Sequence, residues 1–348
     1  QGLQGAYPVE LLFQLVAADL AAEEGADKMG IFELQGIVKS LPVVFFGFIA
    51  STIQMLELRS YAGIWCGVFI VNCSLLLVAA CYFSETRPAS GAASAPSGGA
   101  RAALCRELGE YRDLIVGRGI EGNCATGRVI CLVLAYVLFD AISKARFSTL
   151  IFSFSMSYYS MTAAQVIICA LPIILIHATC TPAVGKVCSG LGMRRGFIAV
   201  CVYKTIAASL MFLQPFQRWA WFAQYYLSSA ASGWDALFSS LISALFKERT
   251  SKYMAMSTLV NYGANIISAP MYAVAFDATA TSYFARLQPG LAGLVCYAIG
   301  TVILFHPTTG VWRFFCGGLD VMQKEHDEKR RKEVAEDGAA IASAKKTD

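Results

Sequence analysis

Long apolar runs alternate with shorter polar stretches along this chain. Runs of about 20 apolar residues are long enough to cross the hydrocarbon core of a bilayer as helices, and helices pair their own backbone groups in lipid. The alternating pattern of a membrane β-barrel strand is missing. The sequence therefore predicts an all-α, polytopic membrane protein. Its nine predicted spans cover about residues 3–22, 30–55, 61–83, 128–156, 162–184, 196–214, 218–245, 254–276 and 289–308.

A long polar segment at residues 84–127 separates the first three predicted spans from the other six. It contains a stretch of serine, glycine and alanine that is typical of a flexible linker. The charged chain past residue 308 is expected to be a solvated extension. The predicted organisation is the remainder of an N-terminal bundle (1–83), a cytoplasmic linker (84–127), a six-helix bundle (128–308) and a charged cytoplasmic tail (309–348).

Composition and charge support this organisation. Hydrophobic residues make up 56% of the chain and charged residues 15%, with a mean hydropathy of +0.54, whereas soluble domains have about 25% charged residues. A soluble enzyme, a nucleic-acid module and a secreted disulfide scaffold are thereby excluded. Lysines and arginines number thirteen on the linker side and three on the other, before the tail is counted, which predicts a cytoplasmic linker. The plasma membrane is the default location, and an organelle stays open.

The sequence lacks the short motifs of the common membrane enzymes. It has no GxxxxGK[ST] phosphate loop, no HExxH and no GxSxG, so neither an ATP-driven pump nor a hydrolase is expected. Its twelve cysteines form no CxxC pair and no Cys/His cluster at zinc spacing. We therefore expect no enzyme activity, no cofactor and no bound metal.

An internal echo relates the first predicted span to the seventh. Residues 16–30 and 242–254 each close a span with a short charged loop, and Lys28 and Lys252 fall in matching places. Many transporters are built from repeated halves. Two six-span halves, with three spans missing from the first, would produce this spacing.

Three motifs add a family resemblance. They are the glycine- and arginine-containing loop at residues 185–195, the sequence Ser-Glu-Thr-Arg at 84–87, and the acidic residues Asp19, Glu23 and Glu24. With these motifs the chain resembles the major facilitator superfamily of secondary transporters, and its layout is similar to that of solute carrier family 46, the proton-coupled folate transporter and its relatives. The resemblance implies two six-helix bundles that rock around a central cavity, with about nine of an expected twelve helices present.

The resemblance also implies a conformational role for the loop at residues 185–195, which we call the signature loop. Its members are Gly185, Ser189, Gly192, Arg194 and Arg195. Glycine allows a tight turn between spans, and the arginines would hold the loop at the anionic inner surface. In the family an aspartate of this motif pairs across the bundles. Because Ser189 occupies that position here, a charge latch would be weaker, and a static anchor is the alternative.

Three charged residues within seven positions of the fourth span are the main candidates for function. Asp140 lies near mid-span, and charged groups inside a bilayer are costly enough to need a reason. Asp140 and Lys144 are four residues apart and can pair, whereas Arg146 points about 200° away from Lys144. We expect Asp140 to take up a proton while Lys144 or Arg146 meets a substrate carboxylate. The alternative is a static ion pair.

Other polar residues in the spans are weaker candidates. Asp235, inside the seventh span, could be the partner of Arg146. His177 could titrate near neutral pH or be a hydrogen-bonded packing residue. Lys39 could line the cavity or snorkel to the surface. Lys204 is closer to a cytoplasmic end and is expected to snorkel.

Two asparagines complete the candidate set. Asn261 and Asn265 are four residues apart on the eighth span, where they could contact substrate. Polar contacts between helices are the commoner role of such residues.

The leading functional hypothesis is a secondary active transporter for a small organic solute, with an anion favoured and a proton gradient as the driving force, as in symport. The alternative is a facilitator-like sensor or scaffold that does not transport, or a truncated, inactive remnant. The expected partners are the solute, protons and the lipid bilayer, without nucleic acid. Substrate identity, direction and oligomeric state stay open.

We expect the native protein to be longer than this chain. The chain begins at Gln1, without a recognisable signal sequence, and three spans before a cytoplasmic linker would place residue 1 outside. The intact mass of the protein purified from its own membrane should exceed the 37.5 kDa of this chain by about 10 kDa or more, the size of three further spans. A native mass equal to that of this chain would favour the scaffold or the remnant.

Overall fold

The described chain is helical wherever it has regular secondary structure. The structure, a computed structural model, describes residues 30–32, 34, 109, 111–113, 115–116, 127–231, 233–246 and 249–344. The predicted spans at 3–22 and 61–83, all but four residues of the span at 30–55, and most of the linker lie outside these residues. The main helices are α1 (Gly127–Tyr159), α2 (Ala163–Ala170), α3 (Pro172–Leu191), α4 (Met193–Ser209), α5 (Arg218–Ala230), α6 (Gly233–Phe246), α7 (Thr250–Ala275), α8 (Tyr283–Phe305) and α9 (Val311–Ala344).

Helices cover all six apolar stretches predicted between residues 128 and 308. Three stretches are the single helices α1, α7 and α8, two are the consecutive pairs α2–α3 and α5–α6, and one is α4 with a 3-10 turn at Leu210–Leu213. The all-α prediction is thus confirmed for the described residues.

By length and composition, two described segments could cross a bilayer: Met193–Leu213 and Tyr283–Phe305. Two such helices are weak evidence for a membrane protein. α1 is long enough but carries three charges in its middle, and α5 and α6, with 13 and 14 residues, are individually shorter than a span. The polytopic arrangement therefore stays a prediction.

Local sequence signals define several of the helix ends. Thr162 and Gln165 form a reciprocal capping box at the start of α2, in which each side chain accepts a hydrogen bond from the other residue's backbone N–H. Ser282 caps α8 by accepting from the N–H of Ala285. Gly192 joins α3 to α4 with a φ of +84°, a conformation that favours glycine.

Helix α1 is the centre of the bundle and packs along both α7 and α8. Its first half contributes to an apolar cluster with Phe197, Trp234 and Phe315, and its second half to another with Trp221 and Tyr272. The charged residues at 140–146 lie on α1 between the two clusters. The core therefore has two large apolar clusters, and the buried charges lie between them beside a small third cluster of Ile142, Ala264 and Cys296.

The first turns of α9 belong to this core, which differs from the solvated extension expected after residue 308. Val311, Phe315 and Leu319 are fully buried, and α9 packs against α6. These residues are four apart and form one apolar face of the helix. Apart from the exposed Arg313, the charged and mostly exposed part of α9 begins at Lys324. The apolar face was not predicted from the sequence because the charged residues dominate the composition of the tail.

Gly196 allows the closest approach between α3 and α4. A β-carbon at Gly196 would lie 2.5 Å from Cα of Cys188. Gly196→Ala should therefore lower the free energy of unfolding by about 1–3 kcal/mol, the usual cost of overpacking. Gly263→Ala is the control, because a β-carbon there meets no atom within 4 Å and alanine favours helix. Thermal unfolding of the purified protein in detergent measures both. Equal stability would contradict this packing.

Candidate functional site

Four charged side chains form a continuous chain of ion pairs between α1, α4 and α6, which we call the ion chain. Asp140 Oδ1 accepts from Lys204 Nζ at 2.7 Å, and Asp140 Oδ2 lies 2.9 Å from Lys144 Nζ. Lys144 Nζ also donates to Asp235 Oδ1 at 2.7 Å. The pair predicted from the four-residue spacing of Asp140 and Lys144 is thus present in the structure. Two lysines and two aspartates make the ion chain formally neutral.

The ion chain runs from a buried end to an open end. The side chain of Lys204, at one end, is 11% exposed, and that of Asp235, at the other end, is 67% exposed; Lys144, beside Asp235, is 45% exposed. Lys204 Nζ also lies 4.8 Å from the ring centroid of Trp234, within reach of a cation–π contact. Lys204 was expected to snorkel toward a cytoplasmic surface. That expectation is wrong, because Asp140 and Trp234 hold its ammonium group inside the bundle.

A cavity of ≈ 290 Å³ opens beside the ion chain, between α1, α4, α5, α6 and α8. Asp140, Lys144, Lys204 and Asp235 all line it, together with Arg146. The rest of the lining that the structure describes combines hydroxyl and amide groups with apolar side chains. These residues are Ser143, Phe147, Ser148, Ala208, Met211, Gln224, Tyr225, Ser228, Ser229, Ala231, Gly293, Leu294 and Tyr297.

Arg146 lines the same cavity but does not belong to the ion chain. Arg146 is 3% exposed, and its Nη2 donates a hydrogen bond to Gln224 Oε1 at 2.6 Å. Its guanidinium carbon lies 4.7 Å from the ring centroid of Phe147 and 5.6 Å from that of Trp221. The hypothesis that Asp235 is the partner of Arg146 is wrong, because Asp235 pairs with Lys144 instead.

Asp235 occupies an unusual place for an acidic residue in an apolar segment. It lies in the first turn of α6, directly after the break between α5 and α6. Trp234 is anchored at this break by a hydrogen bond from its N–H to the carbonyl of Ala231. Interrupted helices are used in transporters to present polar groups at the middle of a membrane. The break places the carboxylate of Asp235 near Lys144.

The other candidates do not join the cavity lining that the structure describes. Asn261 is half-buried and Asn265 is exposed on α7, away from the cavity. His177 lies in α3, but its side chain is outside the described set, and Lys39 lies outside the described residues altogether. Their proposed roles stay predictions.

The signature loop is mostly helical, in contrast to the loop expected at residues 185–195. Gly185 and Ser189 lie in α3, Arg194 and Arg195 in α4, and only Gly192 interrupts the two helices. A single glycine with positive φ is enough to turn the chain here, so no longer loop is needed.

The start of α4 is joined to α9. Arg194 forms an ion pair with Asp320, and the N–H of Met193 donates to Gln323 Oε1 at 2.9 Å. Ser189 Oγ donates to the carbonyl of Lys186 within its own helix, at 2.9 Å, and Arg195 is exposed. In the described structure, the residues at the start of α4 thus contact the tail helix α9.

Two site residues were missed from the sequence: Lys204 as a member of the ion chain and Gln224 as the partner of Arg146. Gln224 Nε2 also donates to the carbonyl of Ala208, and its Oε1 accepts from Gln214. A buried glutamine within an apolar segment was the available signal, since such amides bond across helices. Among the described residues, no group of three or more His, Cys, Asp or Glu could hold a metal ion.

No protein-family model, curated protein or solved structure matches the chain. The resemblance to the major facilitator superfamily therefore rests on the sequence motifs, and the function is argued from the site itself.

The burial of Lys204 leads to a stability prediction. Lys204→Met should lower the free energy of unfolding by about 2 kcal/mol or more, because breaking a buried pair costs up to about 5 kcal/mol. Lys144→Met, the matched control, should cost about 1 kcal/mol or less, since exposed pairs contribute little. Each variant leaves Asp140 with one lysine. Thermal unfolding in detergent measures both, and equal losses would mean that Lys204 is as solvated as Lys144.

Proposed function

We propose that the chain is part of a secondary active transporter that moves a small organic anion across a membrane by alternating access, with a proton as the coupling ion. The observation that carries the proposal is the ion chain beside a cavity between helices. A two-residue ion pair would suffice to join two helices, whereas this arrangement brings five charged side chains to one cavity.

The distribution of polarity supports a membrane setting. Large apolar side chains point outward from α4, α7 and α8, among them Ile206 at 62%, Ile266 at 68% and Val302 at 59% exposed. Asp140 and Arg146, by contrast, are buried. Exposed apolar surface of this extent needs a covering, and a bilayer supplies one. We therefore take the six apolar segments to be membrane spans, with α5 and α6 together forming one interrupted span.

The ion chain offers a physical route to coupling. Asp140 accepts one lysine on each of its two oxygens. A proton on this carboxyl group would remove its negative charge and release positive charge from Lys144 and Lys204 toward the cavity. An anionic solute would then offset that charge. Proton and anion thus bind more readily together than separately, which is a positive coupling free energy between two sites.

The proposal predicts that Asp140→Asn abolishes proton-driven uptake. In proteoliposomes containing the full chain, we expect an inward proton gradient to stimulate uptake of at least one of radiolabelled lactate, benzoate and succinate above the level of protein-free liposomes. Asp140→Asn should reduce this stimulation to the protein-free level, because an amide takes up no proton at neutral pH.

Asp277→Asn is the matched control for the loss of a carboxylate. Asp277 is exposed between α7 and α8, and hydrogen bonds from Thr279 hold its pKa below the usual value, so it is ionised at neutral pH. The control should keep full stimulation. Full stimulation in Asp140→Asn would remove Asp140 as the coupling site. No uptake by the unmodified chain would favour the sensor or scaffold.

A further inference from the structure

Arg146 is a buried cation without a described counter-ion. No carboxylate of the described residues lies within 4.0 Å of its guanidinium group, and its Nε has no hydrogen-bond partner. Burying a charge without a partner is expensive, and buried charges are normally paired. The residue is nevertheless almost fully enclosed at the wall of a cavity.

The surroundings of Arg146 are shaped to hold its side chain in place. A β-carbon at Gly290 would lie 3.2 Å from its Nη1, and one at Gly293 would lie 3.5 Å from its Cδ. Phe147 and Trp221 lie near its guanidinium group, and Gln224 accepts from its Nη2. The two glycines of α8 therefore leave the space that the arginine fills, and a neutral oxygen is its described side-chain acceptor.

The charge of the described lining favours an anionic ligand. The ion chain is neutral, so Arg146 leaves the lining with a formal charge of +1. One negative charge would balance it without any change in the protonation of Asp140. Arginine binds carboxylates well because its planar fork donates more than one hydrogen bond to them.

The cavity also limits the rest of the ligand. Its volume of ≈ 290 Å³ is at the lower end of the range for small-molecule pockets, about 300–1,000 Å³. Beside Arg146 the lining includes Phe147, Met211, Tyr225 and Leu294. The lining thus suits a ligand whose anionic group is attached to a small apolar or aromatic moiety.

We propose that Arg146 is the primary binding residue of a subsite for a small organic monocarboxylate. The inference rests on the proposed transport function for its setting and specifies its substrate class. The carboxylate binds the guanidinium group of Arg146, and the apolar body lies against the aromatic side of the cavity.

Equilibrium binding of radiolabelled benzoate to the purified full chain in detergent tests this subsite. Benzoate should bind, and benzamide, its neutral isostere, should not compete. Arg146→Gln should weaken benzoate binding by roughly tenfold to a hundredfold, the loss expected for a hydrogen bond to a charged group. Arg146→Lys keeps the charge but loses the planar fork. Its affinity for benzoate should therefore lie between that of the unmodified chain and that of Arg146→Gln.

The controls separate a loss of the subsite from a loss of folding. Arg313→Gln removes an exposed arginine of α9, outside the cavity lining, and should bind benzoate like the unmodified chain. Thermal unfolding without benzoate checks that each variant is folded.

Two results would overturn the subsite. One is equal benzoate binding by the unmodified chain and by folded Arg146→Gln, and the other is the absence of saturable benzoate binding by the unmodified chain. Either result leaves the transport proposal standing if Asp140→Asn still abolishes proton-driven uptake of another solute. Conversely, benzoate binding that depends on Arg146, with uptake insensitive to Asp140→Asn, would support the subsite and remove the proposed coupling.

Discussion

The burial of Asp140 between two lysines is the constraint that most of the described structure depends on. A carboxylate inside an apolar bundle is stable only if cations reach it, and here they come from its own helix and from α4. Lys204 reaches Asp140 from α4, and its ammonium group also lies over the ring of Trp234 on α6. The packing of three helices is thus coupled to the charge state of one carboxyl group.

The buried charges lie between the two large apolar clusters of the core. Aromatic side chains fill the bundle on either side of the charged layer, with Phe197 and Trp234 in one cluster and Phe154 and Trp221 in the other. The apolar surroundings strengthen the ion pairs, since electrostatic interactions are larger where water is excluded. The open end at Asp235 keeps part of the layer within reach of solvent or solute.

The sequence alone could predict the features that follow from the geometry of a single helix. The pairing of Asp140 with Lys144 follows from a spacing of four residues, and the apolar runs predicted the helical segments. Contacts between helices were predicted less well. Lys204 and Gln224 reach their partners because of how α4 and α5 are rotated against α1, which no local pattern encodes. The buried face of α9 was missed because the charges after Leu319 dominate the composition of that segment.

The docking of α9 has a mechanical consequence. Its first turns are packed against α6, which carries Asp235, and its Asp320 is bonded to Arg194 at the start of α4, which carries Lys204. The same helix continues past these turns with mostly exposed side chains from Lys324 to Ala335. Because α9 contacts both α4 and α6, a displacement of α9 would move the two helices that supply the outer members of the ion chain.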